Sequence, residues 1–162
     1  MFELTEISAQ SKTDFYKSLA KQLHRLLEGE RDFLANCANS AALIFRALPD
    51  VNWAGFYFYK GGNLILGPFQ GKPACSRIAI GKGVCGTAAE KMKTIVVKNV
   101  HDFAGHIACD GASNSEIVVP MIKQGKLLGV LDVDSPQLAR FDEEDKAGLE
   151  VLVELILSSS DV

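Results

Sequence analysis

The sequence predicts an α+β fold in which helices cover an antiparallel sheet. Two segments with helical periodicity come first, six short β-rich runs fill the middle, and one amphipathic segment follows them. The chain has 162 residues, of which 48% are hydrophobic, so it can form one full-sized hydrophobic core but is too short for two domains with separate cores. We therefore expect a single domain over residues 1–162.

Three segments carry apolar residues at helical spacing. The first begins at Ser11, with Asp14 three residues later, a pattern typical of a helix N-terminus. The same signal, from Asp142 and Asp145, begins the last helix. The second segment carries Cys37 on its apolar face, where a thiol behaves as a small hydrophobic group, so we assign Cys37 to the core.

Short aromatic and β-branched runs predict the strands, and Gly61 to Asn63 predict the first hairpin turn. A short helix is expected after the third run, and a long polar loop spans 101–115. A loop of this length is more often functional than merely connecting. The six predicted strands are 53–59, 64–69, 75–80, 94–100, 116–122 and 127–133.

A glycine pattern in this region imitates a nucleotide-binding motif. Gly81, Gly83 and Gly86 match the dinucleotide fingerprint, and Asp102 follows at about the expected distance. However, the helix is too short for a βαβ crossover, and the flanking runs resemble hairpins more than parallel strands. We therefore interpret the glycines as a tight turn and predict no nucleotide cofactor.

Charge and hydropathy exclude several classes of partner. The net charge is −3 and the basic residues are scattered singly, so nucleic acid and anionic membranes are poor candidates. The N-terminal segment lacks the features of a secretory leader, and no apolar run approaches the roughly 18 residues of a membrane span. These observations favour a cytoplasmic protein that binds a small molecule or another protein.

Three of the four cysteines, Cys75, Cys85 and Cys109, lie within one 35-residue stretch. In a reducing compartment such a group indicates redox chemistry more than structural disulfides. No pair has the two-to-four-residue spacing of a structural zinc site. A mononuclear site built from His101, His106, Cys109 and another cysteine would have irregular spacing, so no metal is predicted. Either histidine could instead pair with Cys109 and lower its pKa, or both could be ordinary loop residues.

Two carboxylates follow an apolar strand. Asp132 and Asp134 are two residues apart, so their side chains should share a face with Leu128 and Val130. Glu116 opens the neighbouring predicted strand and could join them. Partly desolvated carboxylates this close favour at least one proton near neutral pH, although a solvated strand end would explain the pair as well.

Four sequence motifs, taken together, resemble those of a known protein family. The runs GPFQGKPAC, GKGVCGTA, DFAGHIACDGASNSEIVVP and GVLDVDSP resemble the free methionine-(R)-sulfoxide reductases, which are stand-alone GAF domains, over about residues 53–141. The resemblance implies a GAF-like six-stranded antiparallel sheet flanked by helices, with the first and last strands adjacent at its centre. It also implies a possible homodimer and no cofactor.

The resemblance also implies how the thiols act. Cys109 would attack the sulfur of free methionine (R)-sulfoxide, release methionine and become a sulfenic acid. Cys75 would then form a disulfide with Cys109, and thioredoxin would restore both thiols, a cycle typical of defence against oxidative stress. Cys85 occupies a third position that can supply an alternative resolving thiol.

The remaining positions of the family motif fall on acidic and aromatic residues. Glu116, Asp132 and Asp134 would polarise the sulfoxide oxygen and hold the substrate ammonium, since a neutral carboxylic acid assists departure of that oxygen. Trp53 and Tyr57 would form an aromatic wall for the S-methyl group. These acids would also raise the pKa of a neighbouring thiol unless they are largely protonated or the loop supplies hydrogen-bond donors.

Two other functions remain open from the sequence. GAF domains often act as small-ligand-binding sensors, and a peroxide-sensing thiol protein would also use paired cysteines. We expect no output domain in these 162 residues, and a passive sensor does not need three cysteines around a carboxylate cluster. Both observations favour the reductase.

Overall fold

The computed structural model describes residues 5–105, 107 and 111–162. Its strands form one six-stranded sheet in the order β3-β2-β1-β6-β5-β4, and every neighbouring pair is antiparallel. The first and last strands are adjacent at the centre, as the resemblance implied. The elements are α1 (Lys12–Leu26), α2 (Phe33–Ala47), β1 (Trp53–Lys60), β2 (Asn63–Gly71), β3 (Arg77–Ala79), α3 (Gly83–Lys91), β4 (Ile95–Val97), a 3₁₀ turn (Val100–Asp102), β5 (Ser115–Lys123), β6 (Lys126–Ser135) and α4 (Glu143–Ser158).

The helix boundaries follow the local signals in the sequence. The Ser11 hydroxyl accepts a hydrogen bond from the Asp14 N–H at 3.1 Å, which satisfies one of the free donors at the start of α1. Asp142 and Asp145 form a reciprocal capping box at the start of α4. Helix α2 ends at Ala47, two residues before Pro49, which cannot continue a helix. Both predicted helix starts are confirmed.

The two faces of the sheet are covered differently. Helices α1, α2 and α4 pack on one face around the main core, to which the sheet contributes Phe56 and Leu131 among others. Cys37 is fully buried there, as predicted. Helix α3 covers the other face, where Tyr57 and Val130 form a second, smaller cluster. Because antiparallel strands alternate their side chains, the same strands serve both clusters.

An irregularity in β6 overturns one expectation. The pairing register between β5 and β6 shifts between Met121 and Ile122, as in a β-bulge. Beyond that point Leu127 packs against the α3 cluster and Leu128 against the main core. Leu128 therefore does not share the face of Asp132, because one extra residue reverses the side-chain alternation.

Two edge strands are shorter than predicted. Strand β3 covers three residues, 77–79, and pairs only with 63–65 of β2. Strand β4 ends at Val97, because Asn99 caps a 3₁₀ turn by accepting a hydrogen bond from the His101 N–H at 3.1 Å. The hydrophobic pattern overestimates the length of both strands. An edge strand has one neighbouring strand, and it ends where the pairing with that neighbour ends.

The glycine pattern forms a tight turn beside α3. The Gly81 N–H donates to the Gly86 carbonyl at 2.9 Å, and Gly81 and Gly83 have positive φ values of 78° and 60°. A Cβ atom on Gly86 would lie 2.4 Å from the Ala79 carbonyl oxygen, so glycine permits close packing of helix and strand. The turn leads from an antiparallel strand into α3, which is not a βαβ unit, so the predicted interpretation is confirmed.

Among the described residues, no helix combines the length and the apolar character that a bilayer span requires.

Candidate active site

Three central strands bring the predicted acidic residues together. In the β1–β6–β5 ladder, Asp134 lies opposite Trp53 on one side and opposite Glu116 on the other. Asp132 lies two positions along β6, opposite Gly55. Since side chains two apart in a strand share a face, all three carboxylates point to the side covered by α3. The predicted grouping of these acids is confirmed by the pairing.

Helix α3 places a thiol above the acids. Cys85 lies in its first turn, and its Sγ atom is 3.9 Å from Oε1 of Glu116. The Sγ atom and one carboxylate oxygen each from Glu116 and Asp132 all lie within 4.8 Å of one another. The positive φ of Gly83 and the close approach of Gly86 to β3 allow the helix to begin this near the sheet. This trio is also the set of described residues that offers ligands to a metal ion.

The carboxylates are strongly desolvated. Glu116 is 6% exposed and Asp132 is 7% exposed, whereas Asp134 is half-buried. Burial, together with the charges of Asp132 and Asp134, raises the pKa of Glu116 well above its usual range. Burial also raises the pKa of Asp132, although hydrogen bonding with Cys85 and Glu116 opposes this. The Glu116 and Asp132 pair therefore retains a proton at near-neutral pH.

Asp132 has unused hydrogen-bonding capacity. Within the described part of the chain its Oδ1 atom is buried and has no hydrogen-bond partner. A buried polar atom without a partner costs free energy, so its presence suggests that something else fills the position.

The Cys85 thiol is neutral in this environment. Burial raises its pKa well above the usual value, and the nearby charges of Asp132 and Glu116 raise it further. A neutral thiol is a weak nucleophile but can donate a weak hydrogen bond. The Cys85 thiol can therefore donate to the Glu116 carboxylate.

An aromatic stack borders the acids. The Trp53 and Tyr57 rings are stacked with their centroids 5.9 Å apart. The Phe69 ring also stacks on Trp53, with a centroid distance of 5.3 Å. The Trp53 Nε1–H donates to the Lys72 carbonyl at 3.1 Å, which fixes the ring. A Cβ on Gly55 would lie 2.7 Å from the Trp53 ring, so glycine lets that ring lie flat on the strand.

A cavity of about 30 Å³ lies between α3 and the acids. Tyr57 and the three carboxylates line it, whereas Trp53 is not among the described residues at its wall. Sequence reasoning assigned no role to the side chain of Ser113, which is buried and whose hydroxyl accepts a hydrogen bond from Asn52 Nδ2 at 3.1 Å. The described lining residues are Tyr57, Ile78, Lys82, Gly83, Val84, Cys85, Ile107, Ser113, Glu116, Asp132 and Asp134.

The other predicted redox residues are only partly described. Cys75 is half-buried and disulfide-bonded, whereas Cys37 and Cys85 are free thiols. Cys109 and His106 lie outside the described residues, so their predicted roles are not tested by the geometry. His101 is exposed, and its Nε2 lies 3.0 Å from Oδ1 of Asn114.

Comparisons with known proteins agree with this architecture. The GAF domain family matches residues 14–158, and the chain belongs to that family. A free methionine-R-sulfoxide reductase from Escherichia coli is 49% identical over 93% of each chain. A protein of the same name from Saccharomyces cerevisiae is 45% identical, over 92% of this chain and 87% of the yeast protein.

A solved structure gives the same result. The free methionine-R-sulfoxide reductase of Neisseria meningitidis, determined in complex with its substrate, superposes with a TM-score of 0.93 at 42% identity, covering 98% of this chain and 95% of the other. Within the GAF domains, the chain therefore belongs to the free methionine-R-sulfoxide reductase family of oxidoreductases.

Proposed function

We propose that this chain reduces free L-methionine (R)-S-oxide to methionine through thiol chemistry recycled by thioredoxin. The observation that carries the proposal is the buried Glu116 and Asp132 pair, which retains a proton and faces a cavity bordered by Tyr57. A sulfoxide oxygen departs only when it is protonated or strongly hydrogen-bonded. Relatives at 45% and 49% identity carry the name of this activity.

In the first step, the Cys109 thiolate attacks the sulfoxide sulfur while the acid pair donates a proton to the oxygen. The attack forms a transient S–S bond between Cys109 and the substrate. As the S–O bond of the substrate breaks, the oxygen passes to the Cys109 sulfur, the transient S–S bond breaks, and Cys109 is left as a sulfenic acid. The substrate sulfur gains two electrons and Cys109 loses two, so methionine leaves as the reduced product.

In the second step, the Cys75 thiol attacks the sulfenic acid. A disulfide forms between Cys75 and Cys109, and the oxygen leaves as water. The disulfide-bonded state of Cys75 supports its place in this step. A dithiol of thioredoxin then reduces the disulfide by exchange, and both cysteines regain their thiols.

Charge and shape at the site suit a free amino acid. Candidate acceptors for the substrate ammonium are the half-buried Asp134 and the Oδ1 atom of Asp132, which has no hydrogen-bond partner among the described residues. The stacked rings of Trp53 and Tyr57 offer an apolar surface for the S-methyl group. The neutral Cys85 thiol is suited to orient Glu116 by hydrogen bonding, alongside its predicted role as a spare resolving thiol.

Steady-state turnover tests the proposal. Purified protein is mixed with free methionine (R)-sulfoxide, thioredoxin, thioredoxin reductase and NADPH, and methionine formation is measured. Activity in the parent and in Cys37→Ser, with none in Cys109→Ser, supports the reductase. Binding of the sulfoxide without turnover would indicate a sensor, and turnover of peroxide alone would indicate a peroxide-sensing thiol protein.

Three further properties remain predictions. A homodimer is checked by light scattering after gel filtration, a cytoplasmic location by cell fractionation, and a single domain over 1–162 by one cooperative unfolding transition.

A further inference from the structure

We infer that Cys85, Glu116 and Asp132 form a binding site for a thiophilic divalent cation of the zinc class, which competes with the amino-acid substrate. These three side chains lie on α3, β5 and β6, and their ligand atoms all lie within 4.8 Å of one another. One thiol and two carboxylates form a mixed ligand set that zinc accepts.

The ligand atoms lie somewhat farther apart than in an occupied site, so they must close on the ion. In a tetrahedral zinc site, ligands at about 2.0–2.3 Å from the metal lie roughly 3.4–3.6 Å from one another. The Sγ atom of Cys85 lies 3.9 Å from Oε1 of Glu116, so these two must approach by about 0.3–0.5 Å. The pairs that involve Asp132 lie within 4.8 Å and must approach by at most about 1.4 Å, so side-chain rotation has to bring all three ligand atoms together.

Asp132 provides an independent indication of a ligand. The residue is 7% exposed, its Oδ1 atom has no hydrogen-bond partner within the described part of the chain, and it lines the cavity beside Cys85. A cation bound there would satisfy this atom. The cavity of about 30 Å³ has room for an ion with a water ligand.

The ligand types select the class of ion. Magnesium and calcium prefer oxygen ligands alone, whereas a thiolate favours zinc and the still softer cadmium. Three protein ligands leave a fourth position for water, as in open zinc sites. On binding, the Cys85 thiol and the acid pair release their protons to solvent, so the ion replaces protons without any redox change.

The expected consequence is reversible competition at the site, and this part of the inference rests on the proposed function. A bound cation would occupy the carboxylates that are proposed to receive the sulfoxide oxygen and the substrate ammonium. Zinc-class ions and methionine sulfoxide would therefore exclude each other.

Cadmium titration tests the site directly, because a cadmium–thiolate bond gives an ultraviolet charge-transfer band. The full-length protein carrying Cys75→Ser and Cys109→Ser is used, since this removes the proposed nucleophile and its resolving partner and leaves Cys37 and Cys85. We expect one cadmium ion per chain with the thiolate band. Adding Cys85→Ser should abolish the band, whereas adding Cys37→Ser should preserve it.

Asp132→Asn is the second variant, since it keeps the thiol and the side-chain shape. It should retain the band but weaken cadmium binding about tenfold or more, as expected when a ligand is lost. Thermal unfolding of each variant verifies that it is folded. A missing band in the folded parent background, or a band that survives Cys85→Ser, would overturn the inference.

Competition is measured in the same redox-inactive background, where sulfoxide is not consumed. Methionine (R)-sulfoxide should displace the cadmium band with increasing concentration. The competition would be contradicted if the sulfoxide binds the protein but does not displace cadmium from Cys85. If sulfoxide does not bind at all, the proposed function fails, while the cadmium result still decides the metal site.

Discussion

The Sγ atom of Cys85 lies 3.9 Å from Oε1 of Glu116, and both side chains are buried between α3 and the sheet. The same burial raises the pKa of the thiol and the pKa of the carboxyl, so neither group gains a charge easily at neutral pH. A neutral thiol beside a partly protonated acid is suited to orient that acid. It is poorly suited to nucleophilic attack, which we assign to Cys109.

Removal of single thiols should separate their roles. Cys109→Ser should abolish even one turnover, because no other thiol is assigned to attack the sulfoxide. Cys75→Ser should release about one methionine per chain and then stop as a sulfenic acid. Quenched-flow detection of methionine measures both yields.

The matched control is Cys37→Ser, since Cys37 is fully buried in the main core and burial raises the pKa of its thiol to about 12. Its first-turnover yield should equal that of the parent. An equal yield from Cys109→Ser would remove Cys109 as the nucleophile.

Amide substitutions should identify the proton donor. Glu116→Gln, Asp132→Asn and Asp134→Asn keep the side-chain shape but cannot donate a carboxyl proton. The variant that removes the acid should slow the chemical step by roughly 100-fold or more. Single-turnover rates at saturating sulfoxide measure that step, and methionine binding should weaken less than the rate.

Glu28→Gln is the control for this series, because Glu28 is an exposed carboxylate that does not line the cavity. It should leave the rate unchanged. Full rates in all three site variants would exclude a carboxylic acid as the proton donor.

The raised pKa of Glu116 predicts a pH-dependent effect on stability. A carboxyl whose folded-state pKa exceeds its unfolded value stabilises the fold below the unfolded pKa, and this stability is lost as pH rises through the folded pKa. Glu116→Gln removes that loss, because the amide does not titrate. The melting temperature of Glu116→Gln minus that of the parent should therefore increase from pH 5 to pH 8.

Differential scanning fluorimetry across that range provides the measurement, and each 1 kcal/mol corresponds to roughly 2–4 °C for a chain of this size. Glu28→Gln supplies the baseline, since Glu28 is exposed and lies outside the cavity lining. A difference that stays flat or decreases with pH would show that Glu116 is ionised in the fold.

Much of the fold was predictable because local signals set it. Ser11 and Asp142 begin helices through contacts within a few residues, and a two-residue period places Asp132 and Asp134 on one face. The position of Leu128 was wrong because the bulge depends on how β6 pairs with β5. The length of β4 was wrong because the Asn99 cap ends it.

The site was less predictable than the fold. The acids could be grouped from adjacent strands and from the resemblance, but the approach of Cys85 to Glu116 depends on how α3 packs over the sheet. Phe69 joins the aromatic stack only through pairing between β1 and β2, opposite Gly55. Contacts of this kind arise between distant segments, and no periodicity in a single segment reveals them.

The last prediction concerns which sulfoxides the site accepts. A pocket that encloses the whole amino acid must pair both the ammonium and the carboxylate of its substrate. A peptide amide removes one charge and adds bulk at the wall, so peptide-bound methionine sulfoxide and N-acetylmethionine sulfoxide should be nearly inert. Both are compared with free methionine sulfoxide under the same thioredoxin-coupled conditions.

The sulfoxide sulfur is also a stereocentre, which should make the reaction selective. If the methyl group lies against the rings of Trp53 and Tyr57 while the oxygen points to Glu116 and Asp132, only the R epimer fits. Exchanging methyl and oxygen would place a polar oxygen on an aromatic surface and leave a buried carboxylic acid unpaired, a mismatch of several kcal/mol. Chiral chromatography of a racemic mixture during turnover should show depletion of the R epimer alone. Comparable consumption of both epimers, or ready reduction of the N-acetylated substrate, would show that the pocket is more open than the buried acid pair suggests.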